Sequence, residues 1–444
     1  MELGISPWPS SLCSSALDKL KAGVRKVRKI GEDDPRRIAH SFKIGLALTA
    51  VSFFYYATPL YDGFGVSAMW AVMTVVVVME YTVGATLSKG LNRALATLIA
   101  GVLGVGAHEI AARSGGRREP IVLGLFVFIL GAAATFSRFV PEIKARYDYG
   151  VMIFILTFSL VAVSSYRVEE LLQLAHQRLS TVAIGVAICL ATSGLVFPVW
   201  AGEELHKLVA SNLEKLASFL EGLEAEYFGQ KDRQRNMEGK LFLQVHKSVL
   251  NLKASEDSLL NFAKWEPRHG RFGYHHPWEQ YQKLGALNRQ CASSMESLAS
   301  FITTFREPMS NNTDPDVSAK IRTACVEMSS GSSKALRELS TAIREMTVPN
   351  SANDHVAASL AASADLRSAL SGGVALSEVT DVAAISFLLA DIVGRMEEIA
   401  GSVEELAQLA RFKTAEPDCG SAIKPLADDE EPTAQVAIAI DQMS

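Results

Sequence analysis

Six uncharged apolar runs, separated by short polar connectors, fill residues 38–200: 44–57, 66–79, 94–107, 121–137, 149–165 and 179–197. A membrane-spanning helix needs about 20 predominantly apolar residues. Six such runs in so short a stretch leave almost no amphipathic helix to cover them in water. Tyr55, Tyr56, Trp70, Tyr81, Tyr149, Tyr166 and Trp200 stand at run ends, as in an interfacial aromatic belt. After Pro198 the pattern changes: LHKLVASNLEKLASFLEGL (205–223) repeats leucine at helical spacing, and similar amphipathic patterns recur near 240–263, 278–304, 316–347, 355–371 and 378–411, with no strand-like alternation. The expected fold is an all-α membrane protein, six transmembrane helices followed by a helical cytoplasmic domain. Its expected parts are a basic N-terminal segment (1–37), a six-span channel domain (38–200), a helical domain (201–413) and a disordered acidic tail (414–444).

Charge divides along the same line. The first 200 residues carry 19 Lys+Arg against 13 Asp+Glu, and the remainder 24 against 35. A basic excess confined to the apolar half argues against nucleic acid as a partner. Lys19, Lys21, Arg25, Lys26, Arg28, Lys29, Arg36 and Arg37 precede the first run, whereas the first connector has no basic residue. The positive-inside rule therefore puts the N-terminus in the cytoplasm, and six spans return the C-terminal half there, with Arg113, Arg117 and Arg118 the discordant loop. No apolar core precedes residue 38, so a cleavable signal is not expected. The five cysteines are odd in number and widely spaced, neither a disulfide framework nor a zinc site. The sequon at Asn311 would face the cytoplasm, unglycosylated.

The first and third runs are only 14 residues long, so reaching bilayer length draws neighbouring cations inward. Run one takes in Lys43, run three Arg93 and Lys89, and run six Arg178. Singly, each such side chain can snorkel to the headgroups as a topology anchor. Together, with few acids at equivalent depth, they suit a basic path that replaces the hydration of an anion. Glu80, at the end of run two, could pair with one of them. Small residues crowd run three (Ala94, Ala96, Ala100, Gly101, Gly104, Gly106, Ala107), which permits close helix contact. Asp62, Glu169 and Glu170 lie in outer connectors, where oxygen ligands for a hard cation would be needed. Enzyme motifs fail: Ala112 stands where an HExxH beginning at His108 needs its second ligand, and Gly90 replaces the Ser/Thr of a P-loop. His269, His275 and His276 cluster near Trp265 without cysteines to make a metal site.

Five stretches carry a specific resemblance: EDDPRRIAHSFKIGLAL (32–48), GFGVSAMWAVMTVVVVMEYTVGATLSKGLNRALATL (63–98), PEIKARYDYGVMIFILTF (141–158), FPVWAGEELHKL (197–208) and KWEPRHGRFGYHHPWEQYQKLG (264–285). Over residues 30–410 the chain resembles the plant aluminium-activated malate transporter family. The resemblance implies a dimeric channel of six spans per subunit that passes malate and inorganic anions, without a cofactor but with Al³⁺ as a regulatory ion, in the plasma membrane or alternatively the vacuolar membrane. It puts the family's pore-lining cations on Lys43, Arg93 and Arg178. Its aluminium-response acids fall on Asp62 and Glu169 outside, and on Glu256, Asp257 and Glu266 inside. Gln173 stands where some members have a further acid, and Leu195 where some have an aromatic residue linked to inhibition by GABA. Glu266, in WEP, has a plain alternative role of capping and packing beside Pro267, which ends a helix. Passive efflux suits the energetics, since an interior negative by ~100 mV releases ~4.6 kcal/mol per dianion. The alternative is a proton-coupled exporter of organic or aromatic acids, and a third reading makes the C-terminal half mainly a scaffold.

Overall fold

The computed structural model describes residues 10–56, 69–115, 117–165, 171–225, 242–273, 276–304, 315–371 and 380–414. Every regular element among them is helical; two isolated backbone bridges, His269 with Phe272 and Thr347 with Lys413, are the remaining paired segments. The N-terminal half comprises α1 (Ser10–Asp33), α2 (Pro35–Tyr56), α3 (Met69–Val78), α4 (Val83–Arg113), α5 (Glu119–Ser137), α6 (Pro141–Ser165) and α7 (Leu171–Leu195). Four of these, α4 to α7, contain stretches long and apolar enough to cross a membrane. In α2, His40, Lys43 and the closing tyrosines dilute the apolar run. Within run two the helix of α3 covers ten residues and stops at Val78. Its last turn is a β-branched run, Val75 to Val78, which loses rotamer freedom in a helix. The Thr86 hydroxyl then takes over the Glu80 backbone, accepting from its N–H at 3.1 Å and reaching its carbonyl at 3.3 Å.

The 31-residue α4 is the axis of this half and packs along α6 and α7. Of the glycines expected to allow close approach, Gly104 does so, since a Cβ there would lie 2.6 Å from Val161, whereas Gly101 and Gly106 face open space; a second close approach is at Gly185 of α7, where a Cβ would lie 2.8 Å from Thr74. Outward-facing side chains are apolar, with Val102, Phe128, Phe136 and Val163 largely exposed. An apolar surface of this extent belongs against lipid or another apolar face.

The C-terminal half comprises α8 (Ala201–Leu223), a short turn of helix and α9 (Val245–Leu250), α10 (Lys253–Ala263), α11 (Trp278–Thr304), α12 (Pro315–Glu345), α13 (Ala352–Ser371) and α14 (Thr380–Ala410). One apolar core runs through it from Leu205 to Phe412. Its centre is α8, whose Leu205, Val209, Leu213, Leu216, Leu220 and Leu223 follow the helical period and are all buried. The single pattern expected over 240–263 divides into α9 and α10 at Asn251, a residue whose side chain competes for backbone hydrogen bonds and favours turns. Residues 414–444, expected to be a disordered tail, lie almost wholly outside the described residues, as do the Asn311 sequon and Cys419.

Candidate functional site: a basic cavity and a shared carboxylate

Because α4 begins at Val83, Lys89 and Arg93 lie within its first three turns, and because α7 begins at Leu171, Arg178 lies inside that helix. Arg93 and Arg178 line one narrow cavity, together with Trp70, Thr97, Thr157 and the apolar side chains of Ile153, Leu156, Leu160 and Val182. The room inside is ≈ 20 Å³, enough for about one water. Arg93 donates to the Tyr149 hydroxyl at 3.3 Å, and the Arg178 guanidinium stacks 4.3 Å over the Trp70 ring. Neither forms an ion pair among the described residues, and the Nε of each is buried without a hydrogen-bond partner. Two cations held by aromatic rather than acidic groups keep their positive field for a guest. Trp70 and Tyr149, expected in the aromatic belt, instead turn inward to orient these guanidiniums. Periodicity could not separate the two placements, because a membrane helix is apolar on both faces.

The other two candidate cations are placed differently. Lys43 is 2% exposed, on the face of α2 one turn before Ala47, which packs against α3 and Cys189; it does not line the cavity. Lys89 forms an ion pair with Glu80 and lies 5.7 Å over the Tyr149 ring. Glu80 therefore offsets the charge of Lys89 and leaves Arg93 and Arg178 unopposed.

About 15 Å along α4 from Arg93, α4 and α8 begin next to each other. The Val83 N–H donates to the Val199 carbonyl at 2.9 Å, so the start of α4 is stitched to the segment entering α8. A helix start leaves N–H groups without intrahelical partners. Thr82 caps α4 only in part, accepting from Ala85, and the residue before α8, Trp200, has no side-chain cap. Glu266 supplies what is missing at both. Its carboxylate accepts from Gly84 at 3.0 Å, from Ala201 at 2.6 Å and from Gly202 at 2.9 Å. Its side chain is 1% exposed, and two helix N-termini converge on its charge. Burial pushes the carboxyl above its ordinary range, while the three N–H donors and the neighbouring His269 pull against that. Glycine is required at both helix starts: a Cβ on Gly84 would overlap the Phe262 carbonyl, and one on Gly202 would overlap the Trp278 ring.

The rest of the KWEPRHG stretch fixes this carboxylate. Trp200 stacks on His269 at 4.0 Å, and His269 Nδ1 lies 2.9 Å from the Pro267 carbonyl. Arg146, in the first turns of α6, lies 4.9 Å over the Trp265 ring. Behind them the Tyr281 hydroxyl lies 2.8 Å from His206 and 3.2 Å from His276. The histidines thus serve an aromatic core, and His275 lies outside the described residues.

That core carries a pH dependence. Burial holds both His206 and His276 down to about 4 from 6.5, opposed at His206 by hydrogen bonds to the Ile343 and Arg344 backbone and reinforced at His276 by the neighbouring His206 and His269. On unfolding each would bind a proton below pH 6.5 that the folded bundle refuses until about pH 4. Their contribution is present above pH 6.5 and is lost as pH falls toward 4, on the order of 1.4 kcal/mol per pH unit for each histidine. Melting followed by the fluorescence of Trp200, Trp265 and Trp278 should move to lower temperature between pH 6.5 and 4.5, and a flat profile would contradict this placement.

Among the inner acids, Glu256 forms an ion pair with Arg289 and accepts from Asn212 at 3.1 Å, buried under Gly285. Asp257 is half-exposed on α10. Asp62, Glu169 and Glu170 lie outside the described residues. With the oxygens of Glu256 and Glu266 already engaged, neither fits as a ligand for Al³⁺, and among the described residues no group of three His, Cys, Asp or Glu converges.

The family model described as aluminium activated malate transporter matches residues 28–376. Aluminum-activated malate transporter 1 of Triticum aestivum is 59% identical over 416 residues, covering 91% of each chain. Aluminum-activated malate transporter 2 of Arabidopsis thaliana is 50% identical over 412 residues, 89% of this chain and 80% of its own, and transporter 7 of the same plant is 45% identical over 431 residues, 89% and 84%. The relatives are named as transporters rather than enzymes, and the apolar helices fit a multi-pass membrane protein. The chain belongs to the aluminium-activated malate transporter family.

Proposed function

We propose that the chain is an anion channel through which malate and inorganic anions leave the cell passively. The observation that carries this reading is the pair of guanidiniums, Arg93 and Arg178, facing one cavity within apolar helices and free of ion pairs among the described residues. On this reading α2 and α3 complete six spans with α4 to α7. The N-terminus and the C-terminal bundle are cytoplasmic, the channel is a homodimer, and its membrane is the plasma membrane, with the vacuolar membrane as the alternative. Channel opening must widen the cavity, because room for about one water is far less than a four-carbon dicarboxylate occupies. The aluminium response in the relatives' names is assigned to the outer acids Asp62 and Glu169. Glu256 and Glu266 then act through packing.

Whole-cell recording with internal malate tests this reading directly. The reversal potential of a channel should follow the malate gradient and stay put when the proton gradient is changed, with ~2.3 kcal/mol released per exported charge at 100 mV. A reversal potential that moves with pH would favour the proton-coupled exporter. Acidic external aluminium, added with and without substitution of Asp62 and Glu169, tests the outer assignment.

A further inference from the structure

Helix α1 has no role in the cavity or the junction, yet its surface is strongly ordered by type. From residue 18 to residue 30 every side chain is exposed, including Leu20, Val24, Val27 and Ile30. At helical spacing these four, with Gly23 and Gly31, fall on one stripe covering roughly 120° of the circumference. Lys19, Lys21, Arg25, Lys26, Arg28 and Lys29 dominate the remainder, which they share with Ala22, Asp18, Glu32 and Asp33, and Arg28 and Lys19 flank the stripe on either side. Arg28 is tied to Glu32 at 2.7 Å, and the other five basic side chains have no ion pair among the described residues.

The join to α2 shows which way the stripe faces. Only Asp34 separates α1 from α2, which opens on Pro35. In a straight helix residues seven apart are about 10.5 Å apart along the axis. Here a Cβ on Gly31 would lie 2.9 Å from Ile38 Cδ1, so the chain bends at Asp34 with Gly31 on the inside. Gly31 belongs to the apolar stripe, and the stripe is therefore turned to the side toward which α2 runs. The start of α2 is itself held in place by the Arg36–Glu204 pair at 2.7 Å.

We propose that α1 lies in the membrane surface, its apolar stripe among the upper acyl chains and its lysines and arginines holding anionic phospholipid headgroups. The inference rests on α2 being the first span, which places the bend at the bilayer boundary. The partner is chosen by charge complementarity: a basic face flanking an apolar stripe fits an anionic lipid surface.

The test uses the full chain in nanodiscs of phosphatidylcholine alone, in discs with phosphatidylcholine and phosphatidylserine at about three to one, and in detergent micelles. Amide exchange over residues 18–30 should be roughly tenfold slower in the serine-containing discs than in the neutral ones. Changing Lys21, Arg25, Lys26 and Lys29 to Gln should remove that difference. Changing Leu20, Val24 and Val27 to Ser should remove protection in both lipids. Equal exchange in both discs overturns the proposal, and so does a difference between them that persists after the Lys/Arg to Gln changes; the micelles, apolar inside but without anionic headgroups, control for burial of the stripe alone. Exchange within α2 is read in the same experiment: fast exchange there points to failure of the span assignment, and slow exchange there with an unprotected α1 to failure of this inference alone.

Discussion

Replacing Glu266 by Ala should abolish anion current and lower the melting temperature of the bundle together. The substitution strips the acceptor from three backbone N–H groups at once, those of Gly84, Ala201 and Gly202, and removes the negative charge from two helix starts. Loss of a buried charged partner with several donors costs about 3–5 kcal/mol. For a bundle of this size that corresponds to roughly 6–20 °C. Glu266→Gln is the sharper variant. One amide oxygen can still serve Gly84 and Ala201, but the amide nitrogen then meets the Gly202 N–H, donor against donor. A loss of about 2 kcal/mol is expected. Wild-type melting and wild-type current in the Gln protein would refute the capping role. Wild-type melting with lost current would make the carboxylate a gating element whose hydrogen bonds add little to stability.

Arg93→Glu and Arg178→Glu should each remove anion current from protein that still reaches the membrane. A unit charge pair about 4 Å apart at an effective dielectric of 20 is worth about 4 kcal/mol, nearly a thousandfold in occupancy, and reversal turns attraction into repulsion. The two sites differ in their supports. Arg178 is held by the Trp70 ring and Arg93 by the Tyr149 hydroxyl. Lys89→Glu should weaken current less, because Lys89 is already paired with Glu80. Normal malate current in both arginine variants would remove the cavity from the conduction path.

Much of this was legible before the fold was known, and the limits are physical. Run length alone drew Arg93, Lys89 and Arg178 into their helices, since a helix must be about 20 residues long to cross a bilayer whatever charges it includes. The period of leucines over 205–223 fixed α8 and its buried face. A capping role for Glu266 was one reading of WEP, but which helices it caps was not legible, because its partners lie 182 and 65 residues away and no local pattern joins them. A signal existed in the absence: α8 follows Trp200 with no Ser, Thr, Asp or Asn to cap it, which marks a helix start whose cap must come from elsewhere. The pairing of Glu80 with Lys89 was open for a related reason. Both sit around a break in the helix, and the break depends on the Thr86 hydroxyl capturing the Glu80 backbone.

The junction also fixes a lever. Arg93 lies ten residues along α4 from Val83, about 15 Å from the end that the Glu266 carboxylate holds. A stiff helix pivoting at that end by about 10° would carry the Arg93 backbone sideways by roughly 2.6 Å, comparable to the diameter of a water molecule. On the channel reading, a small rotation of the C-terminal bundle transmitted through α8 to the shared carboxylate would shift one wall of the cavity by about the width of one water.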